Sequence, residues 1–253
     1  MYPKIKNFIT TKYYKKKLED KNGFYQYADE DFLKKWNDLH EKLHRHLQYQ
    51  LKCLYPEAHL HVITNEYFQN NKKVTYHKFD FEGNHLIKLF MYDLIPEPAM
   101  YLDSDILLFR RFKDHELPNT YDFNLYNASM INFEKMIPVK LPIQIKKLYN
   151  AGVVYISNPN KKLTNNLFEI YEKYFKIKNC NITDETCISF FIEQQKINMF
   201  ESNEINISKS MCMKDFFKKQ SVHYIGFYLQ HKLMYFDDFK YSPTYKNFKN
   251  ILY

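Results

Sequence analysis

Seven large apolar residues, Phe32, Trp36, Leu39, Leu43, Leu47, Leu51 and Leu54, recur at steps of three and four residues. That spacing gathers all seven on one face of an α-helix. Asp29, Glu30 and Asp31 put negative charge at its start, where the helix dipole favours it, and Pro56 ends it. A helix with so continuous a stripe is stable only with that face against other apolar surface. The flanking segments supply such a surface. Lys4 to Thr10 reads as a first strand, with Lys12 to Asn22 a basic loop, and His59 to Thr64 and Val74 to Phe79 read as two more strands. His85 to Leu94 reads as a helix cut off before Pro96 and Pro98, and Ala99 to Leu102 as a short apolar strand running into Asp103. Further on, Tyr121 to Tyr126, Ala151 to Ser157 and Val222 to Ile225 read as strands, and Leu163 to Phe175 and Asp184 to Gln194 as helices. Strands alternating with helices predict an α/β fold with a mostly parallel central sheet flanked by helices, in which ligands bind at the carboxyl ends of the strands. No linker or repeat interrupts the pattern, so residues 1–253 are expected to form one domain, with a first half to residue 109 and a second from residue 110.

Glycine usage narrows the function. The chain has four glycines, Gly23, Gly83, Gly152 and Gly226, where average usage would give roughly 18. Neither a dinucleotide fingerprint nor a P-loop can be written with them. The formal net charge is +8, and only Arg45, Arg110 and Arg111 among the basic residues are arginine. Lysine gives a diffuse pull on anions, whereas base reading and bidentate phosphate recognition rest on arginine. The abundance of Lys, Asn, Ile, Tyr and Phe together is the signature of an AT-rich genome, viral origin included. Cys53, Cys180, Cys187 and Cys212 have neither zinc-site nor disulfide-framework spacing and read as reduced residues. Three N-x-[ST] sequons, at Asn127, Asn181 and Asn206, read as chance matches in an asparagine-rich chain. The lysine-studded start has no apolar run of a secretory signal, and no apolar stretch is long enough to span a bilayer. The expectation is a cytoplasmic protein.

The chemistry concentrates in Ala99-Met-Tyr-Leu-Asp-Ser-Asp-Ile-Leu-Leu-Phe109. An apolar strand delivers Asp103 and Asp105, with Ser104 between them. In extended backbone, residues two apart point the same way, so the two carboxylates are expected to converge. Their repulsion requires a proton or a cation, and a divalent oxygen-preferring ion can hold a diphosphate in its open positions. The plain alternative is a strand-end turn with solvated aspartates. Apolar flanks on both sides favour burial, and buried charges need partners. Gly152 permits close approach of a ligand or a backbone, or marks a bulge. Asn150 offers both donor and acceptor to a sugar hydroxyl, or simply a turn. Asp184 and Glu185 after Thr183 also fit a capped helix start. His223 is either a core histidine or an imidazole ligand complementing the two carboxylates.

Lys88 to Phe109 resembles the D-x-D region of GT-A fold glycosyltransferases, family 8 above all, the group of glycogenin and the lipopolysaccharide galactosyltransferases. Other segments resemble that family in the same order. Tyr149-Asn-Ala-Gly-Val-Val-Tyr-Ile-Ser-Asn-Pro159 is similar to the strand that lines the donor sugar. Asp184-Glu185 is similar to an Asp-Gln pair beside the sugar, His223-Tyr-Ile-Gly226 to the start of a metal and phosphate motif, and Phe8-Ile-Thr-Thr-Lys-Tyr-Tyr14 to the nucleotide-binding strand end. The family's lysine three residues beyond the glycine is replaced by Leu229, its Pro-Trp is missing, and the N-terminal tyrosine register is shifted by about one residue. Lys232 or His231 would take the lysine's place.

The resemblance implies transfer of a hexose from a nucleotide diphosphate sugar (UDP-glucose, UDP-galactose or UDP-GlcNAc) to an acceptor hydroxyl, with retention. It implies Mn²⁺ or Mg²⁺ held by Asp103, Asp105 and His223, the metal acting as a Lewis acid on the leaving diphosphate. Thr10, Thr11 and Tyr14 would hold the base, with Asp103 also reaching the ribose. Lys88, Ser104, Gly152, Gly226 and Lys232 would line the donor, and Asn150, Asp184 and Glu185 would orient the sugar. A sugar-phosphate nucleotidyltransferase would need a glycine-rich N-terminal loop, and a nucleic-acid-binding protein would need clustered arginine. A catalytically degenerate domain kept as a binding or scaffold protein is the main competitor. The acceptor, glycan, protein or lipid, is open. The tail after His231, with Tyr235, Phe236, Phe239, Tyr241 and Tyr245 among lysines, would either pack on the core or touch a membrane surface.

Overall fold

A computed structural model describes residues 5–14, 30–80, 86–108, 110–112, 124–125, 128–129, 141–146, 148–149, 151–159, 161–175, 183–196, 205–207 and 221–223. Strand β1 (Asn7–Lys12) is followed by helix α1 (Glu30–Leu54), β2 (His59–Thr64) and β3 (Val74–Lys78). A 3-10 helix (Leu86–Tyr92) leads to β4 (Ala99–Leu102) and β5 (Ile106–Leu108). The short strands β6 (Asn124–Leu125), β7 (Ala128–Ser129) and β8 (Leu148–Tyr149) precede β9 (Val153–Ile156). Helix α2 (Lys161–Ile170) widens into a π-helical turn (Tyr171–Phe175), and α3 (Thr183–Gln195), β10 (Ile205–Ile207) and β11 (Ser221–His223) complete the order.

The main sheet has six strands in the order β3-β2-β1-β4-β9-β6. β1 to β4 run parallel, and β9 is antiparallel to both β4 and β6. This is the expected mostly parallel α/β sheet. Two-residue periodicity splits its side chains between two cores. Phe8, Leu60, Val62, Met100, Leu102 and Val153 face one way, toward Leu47 and Leu51 of α1 and Tyr55 just beyond its end. Ile9, Ile63, Tyr101, Val154 and Ile156 face the other way, toward the 3-10 helix, α2 and α3. The stripe of α1 is buried at Leu39, Leu43, Leu47 and Leu51, as its spacing requires; the side chains of Phe32 and Trp36 lie outside the described residues. Burying each such leucine is worth about 1.5–3 kcal/mol, which is what fixes the helix to the sheet. A smaller sheet, β10-β11-β5, and the pair β7–β8 complete the described framework.

Several boundaries move from the sequence reading. β1 runs to Lys12, so Thr10 and Thr11 lie inside the strand. The segment before Pro96 is a 3-10 helix of seven residues. Of the strand expected over Tyr121 to Tyr126, Asn124–Leu125 is a strand and the other positions lie outside the described residues; β5, β7, β8 and β10 were not foreseen.

Candidate active site

β4 ends at Leu102, and the backbone then turns: the Ile106 amide donates to the Asp103 carbonyl at 3.2 Å. Asp103-Ser104-Asp105 therefore lies on a turn and not on the extended backbone from which convergence was argued. The pleat does not aim these carboxylates; the turn does. Both are buried all the same, at 9% and 7% exposure, and Ser104 between them is half-buried. The Asp103 amide donates to the Gly152 carbonyl at 2.8 Å, at the mouth of β9. Gly152 thus performs the close backbone approach that its residue type permits, and its partner is protein backbone.

A compact network surrounds Asp103. The Lys88 ammonium lies 2.8 Å from Asp103 Oδ1 and donates to Oδ2 at 2.9 Å. It also makes an ion-pair contact with Asp184 Oδ2 at 3.3 Å. The Tyr101 hydroxyl donates to Asp103 Oδ1 at 2.6 Å, and Thr11 Oγ1 lies 3.0 Å from that hydroxyl. Burial by itself would push the Lys88 ammonium toward neutrality. Asp103, Tyr101 and Asp184 outweigh it and hold its pKa well above the ordinary lysine value. Burial, then the Asp103 charge, raises the Tyr101 phenol, so it stays protonated and donates. The Tyr92 phenol, also buried, is raised by burial first and by the Asp184 charge second.

Helix α3 opens at this network. Asp184 is buried at its start, and Glu185 Oε1 accepts from the Ala151 amide at 3.4 Å. Ser189 Oγ, one turn further on, accepts from the Tyr149 amide at 2.9 Å. The helix start therefore braces the chain on both sides of position 150 and brings Asp184 to Lys88. Asn150 itself lies outside the described residues.

The side chains of the segment expected to hold a base are placed as follows. Thr10 Oγ1 is buried with no hydrogen-bond partner among the described residues, and Thr11 is engaged with Tyr101. Tyr14 donates its hydroxyl to Glu41 Oε2 of α1 at 2.7 Å, and Lys12 Nζ lies 2.7 Å from the same oxygen. Arg45 Nε donates to Glu41 Oε1 at 3.0 Å. Burial would raise the Glu41 carboxyl, but the bonds from Lys12, Tyr14 and Arg45 outweigh it and hold it down at about 2. The Tyr14 ring stacks on Phe68, centroids 5.9 Å apart, and Lys12 Nζ sits 4.2 Å from the Phe68 centroid. Asn65 clasps the Tyr14 backbone on both sides, accepting from its amide at 3.0 Å and donating to its carbonyl at 2.9 Å. The result is an aromatic and cationic wall at the carboxyl ends of β1 and β2.

The small sheet bears on the metal expectation. β5 pairs antiparallel with β11, and His223 stands opposite Ile106, the neighbour of Asp105. The backbone thus brings position 223 to the Asp105 turn, although its side chain lies outside the described residues, as do Gly226 and Lys232. Among the described residues, no group of three or more histidine, cysteine, aspartate or glutamate side chains could hold a metal ion. The two buried carboxylates of the turn are hard oxygen donors, the ligand type that Mn²⁺ and Mg²⁺ prefer. One oxygen-rich partner, Asp103, is already charge-compensated by Lys88.

No family model and no curated protein sequence matches the chain. Solved structures do. The chain resembles the galactosyltransferase LgtC, solved in complex with donor and acceptor sugar analogues, with a TM-score of 0.52 and 12% identity over 87% of each chain. It resembles the glycosyltransferase GlyE of Streptococcus pneumoniae with a TM-score of 0.52 and 13% identity, over 98% of this chain and 64% of that one. A glycosyltransferase involved in glycosylation of the major capsid of PBCV-1 matches with a TM-score of 0.50 and 8% identity, over 91% of this chain and 98% of that one. These likenesses establish the fold, a divergent GT-A glycosyltransferase fold resembling that of family 8.

Proposed function

We propose that the protein is a metal-dependent glycosyltransferase that moves a hexose from a UDP-sugar to an acceptor hydroxyl, with retention. The observation that carries this reading is the buried Asp103–Asp105 turn at the carboxyl end of β4, in a fold that resembles those of the solved glycosyltransferases LgtC and GlyE.

In this reading Asp103, Asp105 and His223 would hold the divalent ion, with Lys88 balancing part of the charge on Asp103. The ion supplies Lewis-acid stabilisation of the departing diphosphate when bound. Lys88, kept cationic by its carboxylate neighbours, places a second positive charge where phosphate charge develops. Tyr101 holds Asp103 in one orientation through its hydroxyl. Asp184 faces the sugar hydroxyls, and Glu185 holds the 149–152 segment that carries Asn150. The wall of Tyr14, Phe68 and Lys12 receives the base by stacking and cation–π contact. Gly226 and Lys232 belong to the diphosphate contact, the chain acts as one domain over residues 1–253, and the acceptor enters from the second half.

A second reading has a specific observation in its favour. Lys88 engages both oxygens of Asp103, as expected of a degenerate domain that neutralises its carboxylates internally and serves as a binding or scaffold protein. Release of UDP from UDP-glucose, UDP-galactose and UDP-GlcNAc, with Mn²⁺ and after chelation, separates the two. Metal-dependent release that is lost in Asp105→Asn supports transfer. No release from any donor under any condition supports the scaffold.

A further inference from the structure

Helix α1 buries polar side chains among its apolar ones, His44, His46 and Gln50 among the described residues. Gln50 lies three residues beyond Leu47 and is fully buried. Its side-chain amide faces the backbone of β5 from the side opposite β11. Gln50 Oε1 accepts from the Leu108 amide at 2.5 Å, and Gln50 Nε2 donates to the Ile106 carbonyl at 3.3 Å. Residues i and i+2 of a strand present their backbone groups to the same edge. A planar carboxamide that accepts from one and donates to the other reproduces what a neighbouring strand's peptide group would do. A few residues on, the Phe112 amide donates to the Tyr55 hydroxyl, at the end of the same helix, at 2.6 Å.

β5 is three residues long and follows directly on the Asp103–Ile106 turn. One edge pairs with β11, which carries His223 opposite Ile106. The other edge has Gln50. The turn is therefore fixed upstream by the Asp103 amide on Gly152 and downstream by Gln50 on β5. Without the amide, two buried backbone groups would lose their partners, and a strand this short would have only one neighbour to define its position.

We propose that Gln50 is a positioning residue for the candidate metal site: it sets where β5 lies, and through β5 where Asp105 and His223 stand relative to Asp103. The placement of β5 stands on the hydrogen bonds alone; its consequence for metal rests on the donor-site reading given above.

The test compares Gln50→Met, which keeps length and volume but neither hydrogen bond, with Gln50→Glu, which keeps the acceptor for Leu108, and with Leu47→Ala, which weakens the same helix and the core it shares with Ile106 and Leu108 while leaving both Gln50 hydrogen bonds in place. Amide hydrogen exchange is followed across the full-length protein under conditions where all variants are folded, as judged by circular dichroism. The expected result is at least tenfold faster exchange at Ile106–Leu108 and Ser221–His223 in Gln50→Met, near wild-type protection of Leu108 in Gln50→Glu, and no selective change there in Leu47→Ala. Unchanged protection of these segments in Gln50→Met, or equal loss in Leu47→Ala, overturns the proposal. In parallel, Mn²⁺ titration in the presence of UDP is expected to weaken at least tenfold in Gln50→Met and less than twofold in Leu47→Ala. If the wild type takes up no Mn²⁺, the donor-site reading fails, and the exchange data still decide the role of Gln50.

Discussion

Replacing Lys88 with methionine removes a positive charge that the structure places directly against both oxygens of Asp103. The side chains involved are 13% exposed for Lys88, 12% for Asp103 and 3% for Asp184. Three oxygen contacts, at 2.8, 2.9 and 3.3 Å, disappear together. Methionine fills a similar volume, so a cavity adds little; the cost is that two buried carboxylates lose their shared cation. Breaking a buried pair by deleting one partner costs about 3–5 kcal/mol. For a chain of this size each kcal/mol lowers Tm by about 2–4 °C, so the expected drop is about 6–20 °C. Urea and thermal melts of wild type, Lys88→Met and the double variant Lys88→Met/Asp103→Asn at pH 7 measure it. The double variant is expected to recover more than half of the loss, because Asn in place of Asp103 removes one of the two buried negative charges that Lys88 balanced. A loss below about 1 kcal/mol in the single variant would refute the argument, since it would mean that water reaches these carboxylates and solvates them as at a surface site.

Two further predictions concern other groups. Tyr101→Phe deletes the hydroxyl between Thr11 and Asp103; a stability loss of about 1–3 kcal/mol is expected in urea melts, with Mn²⁺-dependent UDP binding weakened while Asp105 is unaltered. His44 and His46 of α1 are almost wholly buried, and burial lowers them from the ordinary 6.5 to about 3 and about 4. A histidine lowered on folding is neutral in the folded chain, so its stabilising contribution is complete above pH 6.5 and is lost as pH falls from 6.5 toward those values. Urea melts at pH 7 and pH 5 are expected to differ by about 1–2 kcal/mol for each of the two, and an unchanged midpoint would contradict the burial.

Much of the sheet was legible because its signals are local. His59–Thr64 and Ala99–Leu102 lie where alternation and apolar runs placed them, each bounded by a proline or a charged residue. The stripe of α1 was legible from period alone. The 3-10 helix was read as an ordinary helix because Leu86, Ile87, Leu89, Met91 and Tyr92 are buried together, and an apolar run without a polar face carries no information about its period. The Asp103 turn was misjudged because the tight i to i+3 bond at Ile106 depends on β5, which at three residues is too short to announce itself. Tyr101 reads as one more core residue in an apolar strand. Its role comes from Thr11, 90 residues away, and from Lys88 beneath it, neither of which a local pattern can reveal. Gln50 did leave a trace, a polar residue on the apolar face of α1, but its partners lie 56 and 58 residues further along. Lys88, Asp103 and Asp184 were named from motif order, and the structure brings all three into one network.

The central claim is that the Asp103–Asp105 turn is a metal-dependent site for a nucleotide sugar. Calorimetric titration of UDP into the wild type and Asp105→Ala, each with Mn²⁺ and with chelator, tests it most directly. The account predicts binding to the wild type that needs Mn²⁺ and is lost in Asp105→Ala, with both proteins equally folded. UDP binding that is indifferent to Mn²⁺ and to Asp105, or no binding at all, would contradict it and put the scaffold reading first.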